Sequence, residues 1–161
     1  MNNLDTLGNW YLDDLKYIDE PISDQRKLKK GDFIFNRTNS VELVGKSGVI
    51  DFEGTWAGYL IRLRLYEKLN PFYLRYLFAT NRYRKLFSQM AKPAGGQANI
   101  NAEELTNIKI DYFNADEQKE IVEKLDKVFR LLSQLRELKY QAQQKIEKIL
   151  SQVLGEENNH Q

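Results

Sequence analysis

The chain reads FNRTNSVELVGK from Phe35 to Lys46, setting Arg37, Thr38, Asn39 and Ser40 side by side. A guanidinium is a planar fork of N–H donors that fits the O6 and N7 atoms of guanine. A carboxamide carries a donor and an acceptor together, which suits N6 and N7 of adenine. A second polar segment, GGQANIN from Gly95 to Asn101, offers Gln97 and Asn99. Ser40, Lys46, Arg62 and Arg64 suit phosphate oxygens, contacts that position a protein without reading sequence. These residue types describe a hydrogen-bonding surface for nucleic acid. Turn and cap formation is the competing use of such residues, and it is the one expected of Asn36 and Asn101.

Bond-making chemistry finds little support. There is no cysteine, and the one histidine, His160, lies in the polar tail GEENNHQ. A zinc site needs more ligands of those types than the chain has. No GxGxxG, P-loop or GxSxG pattern occurs. The expectation is a non-catalytic chain with no metal and no cofactor. Residues 1–20 are too acidic for a signal peptide, and no apolar run approaches the roughly 18 residues of a membrane span. A cytoplasmic protein without a membrane segment is therefore expected.

Net charge is only +1, but it is unevenly spread. Residues 1–25 hold one lysine against six carboxylates, or −5. Residues 26–48 hold six cations against two carboxylates, or +4. Residues 62–92 hold eight against one, or +7. A basic middle with aromatics between its charges suits a phosphate backbone. Charge alone equally describes an ordinary solvated face.

The elements that must position these residues are short up to residue 113. Strands are expected at Phe33–Phe35, Val49–Phe52 and Tyr59–Leu65. The last alternates, so one face is apolar and the other presents Arg62 and Arg64. Gly45, Gly48, Gly54 and Gly58 mark turns. Asn70 is expected to cap a helix with Pro71 at its first position. Phe72, Leu74, Leu77 and Phe78 would form its buried face. The pattern gives helices over 71–79 and 82–91, a break at Pro93-Ala94-Gly95-Gly96 and a last strand over Asn107–Asp111.

A different regime begins at Asn114. Asn114 and Glu117 have capping-box spacing. Beyond them Ile121, Val128, Leu135, Ala142 and Ile149 repeat at one heptad position. Leu125, Leu132, Lys139, Ile146 and Val153 repeat at the other. Lys139 alone is not apolar, so the series predicts a seam shared with a second helix, in a rod about 60 Å long. A long helix packed on its own domain is the other arrangement such a pattern permits.

These segments occur in a telling order. Gly31-Asp32-Phe33-Ile34-Phe35-Asn36-Arg37-Thr38-Asn39-Ser40 leads to Leu43-Val44-Gly45-Lys46, then to the strand Leu60-Ile61-Arg62-Leu63. Asn70-Pro71-Phe72-Tyr73-Leu74 follows, then GGQANIN, and Glu117-Gln118 with Ile121-Val122 opens the long helix. From Asp5 to Leu154 the chain resembles one half of the specificity subunit of a type I restriction-modification system. The resemblance implies an α/β target-recognition domain over residues 1–113. It further implies a coiled-coil spacer over 114–155, paired antiparallel, and a polar tail over 156–161. Arg37 and Asn39 are then expected at base edges, within a DNA-binding set of Arg37, Thr38, Asn39, Ser40, Lys46, Arg62, Arg64, Gln97 and Asn99. Ile121, Leu125, Val128, Leu132, Leu135, Ile146, Ile149 and Val153 are expected at the coiled-coil interface. The implied partners are double-stranded DNA, methyltransferase and restriction subunits, and a second copy or second half-subunit.

Two departures accompany the resemblance. The family's helix usually opens after a proline-rich stretch, where this chain has Ile110-Asp111-Tyr112-Phe113-Asn114. Further strands usually precede the segment equivalent to Asn3–Ile18, so the recognition domain is expected to be partial. The alternative expectation is a dimerisation or subunit-docking module whose incomplete recognition domain binds no DNA.

Overall fold

All four residues of strand β1, Phe33–Asn36, are buried, which requires cover on both faces of the sheet that contains it. β1 lies between β3 (Ser47–Val49) and β4 (Leu60–Leu63) and is antiparallel to both. Phe33 faces Val49 on one side and Leu63 on the other. Alternation sends Phe33 and Phe35 to one face and Ile34 and Asn36 to the other. The computed structural model describes residues 3–13, 15 and 17–154. Asp14, Lys16 and the tail that holds His160 lie outside the described residues. The chain divides into two compact units, residues 1–122 and 123–161.

In the first unit, helices α1 (Pro71–Ala79) and α2 (Asn81–Met90) supply the aromatic layer that meets Phe33 and Phe35. Phe87 packs edge-on against Phe35 and Phe78, with ring centroids 5.1 and 4.9 Å away. Gly45 passes so close to Phe87 that a Cβ would stand 2.5 Å from its ring, and its φ of +85° also favours glycine. On the opposite face Leu28, Ile34 and Ile50 pack with Trp10, Phe52, Trp56 and Leu60.

A second sheet has the order β2-β6-β5, from Thr38–Asn39, Gln97–Asn99 and Lys92–Ala94. Helix α3 (Ala102–Thr106) follows, capped by the Asn101 carboxamide, which accepts from the Glu103 N–H. That is the cap role expected of Asn101. Asn70 likewise accepts from the N–H groups of Phe72 and Tyr73, with Pro71 opening α1 as expected.

Several expectations are corrected. The strand expected over Val49–Phe52 is instead Ser47–Val49, because beyond Phe33 the partner chain turns at Gly31. Tyr59–Leu65 narrows to Leu60–Leu63, the length that β1 can pair. Asn107–Asp111 is no strand. Its backbone meets tyrosines instead: Tyr73 Oη donates to Asp111 O at 2.7 Å, and Asp111 N donates to Tyr83 Oη at 3.1 Å. The helix break expected at Pro93–Gly96 does occur, since α2 ends at Met90, and the segment belongs to an unexpected β-hairpin. Phe72 is 41% exposed, while Tyr73, Leu74, Tyr76 and Phe78 are buried. Asn36 forms no turn and sits inside β1.

Helix α4 (Ala115–Leu154) opens with the expected reciprocal cap. Asn114 Oδ1 accepts from the N–H groups of Asp116 and Glu117, and Glu117 Oε2 accepts from Asn114 N. The chain thus has a mixed α/β fold with two small antiparallel sheets and a long C-terminal helix. Among the described residues no helix is long and apolar enough to cross a membrane. In the second unit α4 exposes Val128, Leu132, Leu135, Ile146, Ile149 and Val153.

Within the first unit, Gln118 is fully buried and makes three hydrogen bonds. Its Oε1 accepts from Asn70 N at 2.8 Å, and its Nε2 donates to Phe113 O at 2.7 Å and Lys68 O at 3.1 Å. Gln118→Leu keeps the volume and strands those backbone groups. The expected loss is about 1–3 kcal/mol, seen as a lower urea midpoint at unchanged slope. An unchanged midpoint would show that water replaces the carboxamide.

Candidate nucleic-acid interface

The two polar segments, about 60 residues apart in sequence, meet in one sheet. Antiparallel pairing sets Thr38 opposite Asn99 and Asn39 opposite Ala98. Gly95 and Gly96, at φ +57° and +80°, form the two-residue turn between β5 and β6, and positive φ at both positions is what such a tight hairpin requires. Pro93 lies in the edge strand β5, where a missing N–H is tolerated.

Side chains interlock across the pairing. Arg37 Nε donates to Asn99 Oδ1 at 3.1 Å, and Thr38 Oγ1 donates to the same oxygen at 2.9 Å. With Nε fixed, the two terminal nitrogens of Arg37 still point a donor pair elsewhere. Gln97 is exposed at the hairpin and Ser40 at the neighbouring turn. Between turn and hairpin lies a shallow groove of about 440 Å³, lined by Ser40, Glu42, Pro93 and Gln97 among others. Asn39 turns inward. It is 8% exposed, its Oδ1 accepts from Ser40 N, and its buried Nδ2 has no partner among the described residues.

This surface joins a forked cation to carboxamides on a rigid sheet, next to a groove. Residues 1–141 match the type I restriction modification DNA specificity domain. The chain belongs to that family. A Methanocaldococcus jannaschii protein named for the specificity subunit of the type I restriction enzyme MjaX is 32% identical over 115 residues. The aligned part is 69% of this chain and 26% of that protein, so the chain spans about a quarter of the relative.

In this specificity domain the expected phosphate contacts separate. Arg64 is exposed. Arg62 is drawn inward: its side chain is 13% exposed and lies 4.8 Å from the Trp56 ring centroid. Its guanidinium donates to Lys27 O and Gln25 O, both at 2.9 Å, and to Asp32 Oδ2 at 3.3 Å. Lys46 is buried and donates from Nζ to Leu4 O at 2.6 Å. Burial lowers its pKa, the Arg84 charge adds to the lowering, and Asp5 opposes it. Lys46 and Arg62 thus help to build the domain beneath the surface.

Arg84 was not singled out in the sequence. From α2 it donates to Val44 O at 2.9 Å and also to Glu42 O, fastening the turn after β2. Its pKa is lowered by burial. No local pattern announces a cation whose acceptors are carbonyls some 40 residues away. The hairpin did carry a signal, because a Gly-Gly pair between short polar runs is a two-residue turn motif.

Thr38→Val and Asn99→Ala each remove one side of a partly buried bond, and each should cost about 1 kcal/mol. Because both act on one oxygen, urea unfolding of the double variant should show coupling of about 0.5–1 kcal/mol. Strict additivity would mean that the two side chains do not support each other.

Proposed function

We propose that this chain recognises one half of a bipartite DNA target for a type I restriction-modification assembly in the cytoplasm. Methylation and cleavage would be performed by partner methyltransferase and restriction subunits, with this chain non-catalytic. The observation that carries the reading is the β2–β6 register, which joins Arg37 and Thr38 to Asn99 beside the exposed Gln97. Sequence discrimination needs directed donors and acceptors held rigidly, and the paired strands provide that support. Arg37, Asn99 and Gln97 are assigned to base edges. Thr38 fixes Asn99, Ser40 and Arg64 meet phosphates, and Asn39, Lys46 and Arg62 support the surface from within.

The apolar seam of α4, exposed from Val128 onward, completes the reading. Ile121, Leu125, Val128, Leu132, Leu135, Ile146, Ile149 and Val153 would pair antiparallel with the same helix of a second copy or of a second half-subunit. The domain boundary near residue 114 and the spacer over 114–155 belong to this proposal. The seam is supported by its heptad phase and by the exposure of Leu132 and Leu135, 42% and 61%.

The target is found by co-expressing the chain with its methyltransferase subunit and mapping modified bases across a genome. On that site Arg37→Ala should lose about 1–3 kcal/mol and relax one position. Arg64→Ala should weaken cognate and random duplexes alike and reduce the salt slope by about one. Equal losses on both duplexes for Arg37→Ala would remove it from base reading.

Replacing Leu132 and Leu135 together by Asp puts charges into the seam. Sedimentation at micromolar concentration should show an associated wild type and a monomeric variant. A wild type already monomeric without partner subunits would rule out self-pairing.

A further inference from the structure

A second cavity opens on the other face of the first sheet, away from the aromatic layer of α1 and α2. Its volume is about 650 Å³, within the range of small-molecule sites. Aromatic walls come from Trp10, Phe52, Trp56 and Tyr59, with the exposed Arg26 also among the lining residues. The Trp10–Phe52 wall is held by its side chains, and Trp56 is held by its backbone. Trp10 Nε1 donates to Val49 O at 2.8 Å, Trp10 and Phe52 stack edge-on at 5.3 Å, and Arg26 donates to Trp56 O at 3.3 Å.

Asn36 forms part of this lining, and its carboxamide is fully buried. The backbone of Asn36 is satisfied, since its N–H donates to Lys46 O and its C=O accepts from Gly45 N. The side chain is not: neither Oδ1 nor Nδ2 has a partner among the described residues. Thr55 Oγ1, in the same lining, is buried and unpartnered too. A buried carboxamide without partners is unfavourable, because it gives up its bonds to water and gains none in return. Leucine would fill the same place in a strand at no such cost. Asparagine there has a physical reason if a ligand supplies one donor and one acceptor side by side.

We propose that this cavity holds a nucleobase, with Asn36 pairing the N6/N7 edge of adenine and the tryptophans and Phe52 enclosing its ring. A flat heterocycle meets both demands at once. Its faces suit aromatic walls, and its edge carries the adjacent donor and acceptor that a carboxamide matches. Because the floor is closed over Asn36, the half-buried Trp56 and Tyr59 must yield as the ring enters. An anionic sugar-phosphate would then lie toward Arg26. The base can come from a free nucleoside or from an unpaired position in DNA. The site uses neither the β5–β6 hairpin nor Arg37, so it stands or falls apart from the DNA-recognition reading above.

The chain's two tryptophans both line the cavity, so intrinsic fluorescence reports its occupancy directly. The full chain is titrated with adenosine and, separately, with a duplex carrying one adenine opposite an abasic site, against the fully paired duplex. A saturable fluorescence change is expected with at least one of the first two, and the probe that gives it identifies the source of the base. With that probe, 7-deaza-adenine or purine (no N6 amine) in place of adenine should bind at least tenfold more weakly to the wild-type chain. Asn36→Leu should abolish the response while circular dichroism and urea midpoint stay at or above wild type. No saturable change with either probe, or an equal response to the two altered bases, would overturn the proposal. The altered bases decide it even if Asn36→Leu fails to fold.

Discussion

The backbone of Arg37 is shared between two sheets. Its N–H donates to Tyr59 O at 3.0 Å, next to β4, and its C=O accepts from Ile100 N at 2.9 Å, next to β6. One peptide segment therefore ends the ladder of the first sheet and begins that of the second. The register of β2 against β6 is then not independent of the register of β1 against β4. Because side chains alternate along a strand, a slip of one residue would exchange the faces of Phe33 and Ile34 and unpair Thr38 from Asn99 together. Burial on both faces of β1 opposes such a slip, since the two layers differ in shape and chemistry. The hydrophobic core, which takes in Ala98 of β6 and Ile100, thus sets the position of the polar surface above it.

The aromatic layer has a second role through α2. Phe87 anchors that helix in the core, and Arg84, three residues earlier, reaches the carbonyls of Glu42 and Val44. The turn after Ser40 is closed from within by Leu43 N and Val44 N, which donate to Ser40 O. Gly45 then lets the chain run against the Phe87 ring. Turn, helix and core are held by contacts of different kinds, and rigidity in a recognition surface reduces the ordering entropy that binding would otherwise cost.

Local chemistry was legible in the sequence, and long-range pairing was not. The caps at Asn70, Asn101 and Asn114 depend on residues within three positions, and all three form as the sequence indicates. The alternation of Leu60–Leu63 likewise needs only period two. By contrast, Tyr73 is buried where Phe72 is not, because Tyr73 Oη finds a carbonyl 38 residues on. Asn36 and Asn39 read as turn and edge residues because asparagine usually is one, and both are buried by partners distant in sequence. Arg62 and Arg64 share a face by spacing. Only the fold brings Lys27 O and Gln25 O within reach of the first and leaves the second exposed.

Engagement of a cation does not remove its field. Arg82 with Asp111 and Lys92 with Glu104 form ion pairs, and each pair is close to neutral at a distance. Arg84 and Lys46 bond to backbone carbonyls, which carry no net charge. Arg62 also meets the carbonyls of Lys27 and Gln25 and the Trp56 ring, but its ion pair with Asp32 offsets its charge as in the two pairs above. Cations held by carbonyls, Arg84 and Lys46, keep most of their field while their positions become fixed. A positive potential built this way needs no mobile side chains to be ordered when an anion arrives, and low-dielectric surroundings screen it less than water does. The basic middle of the chain can therefore attract a polyanion over several ångströms through residues that never touch it. In the proposed reading, direct contact would fall to the few groups left at the surface, Arg64 and the free end of Arg37 among them.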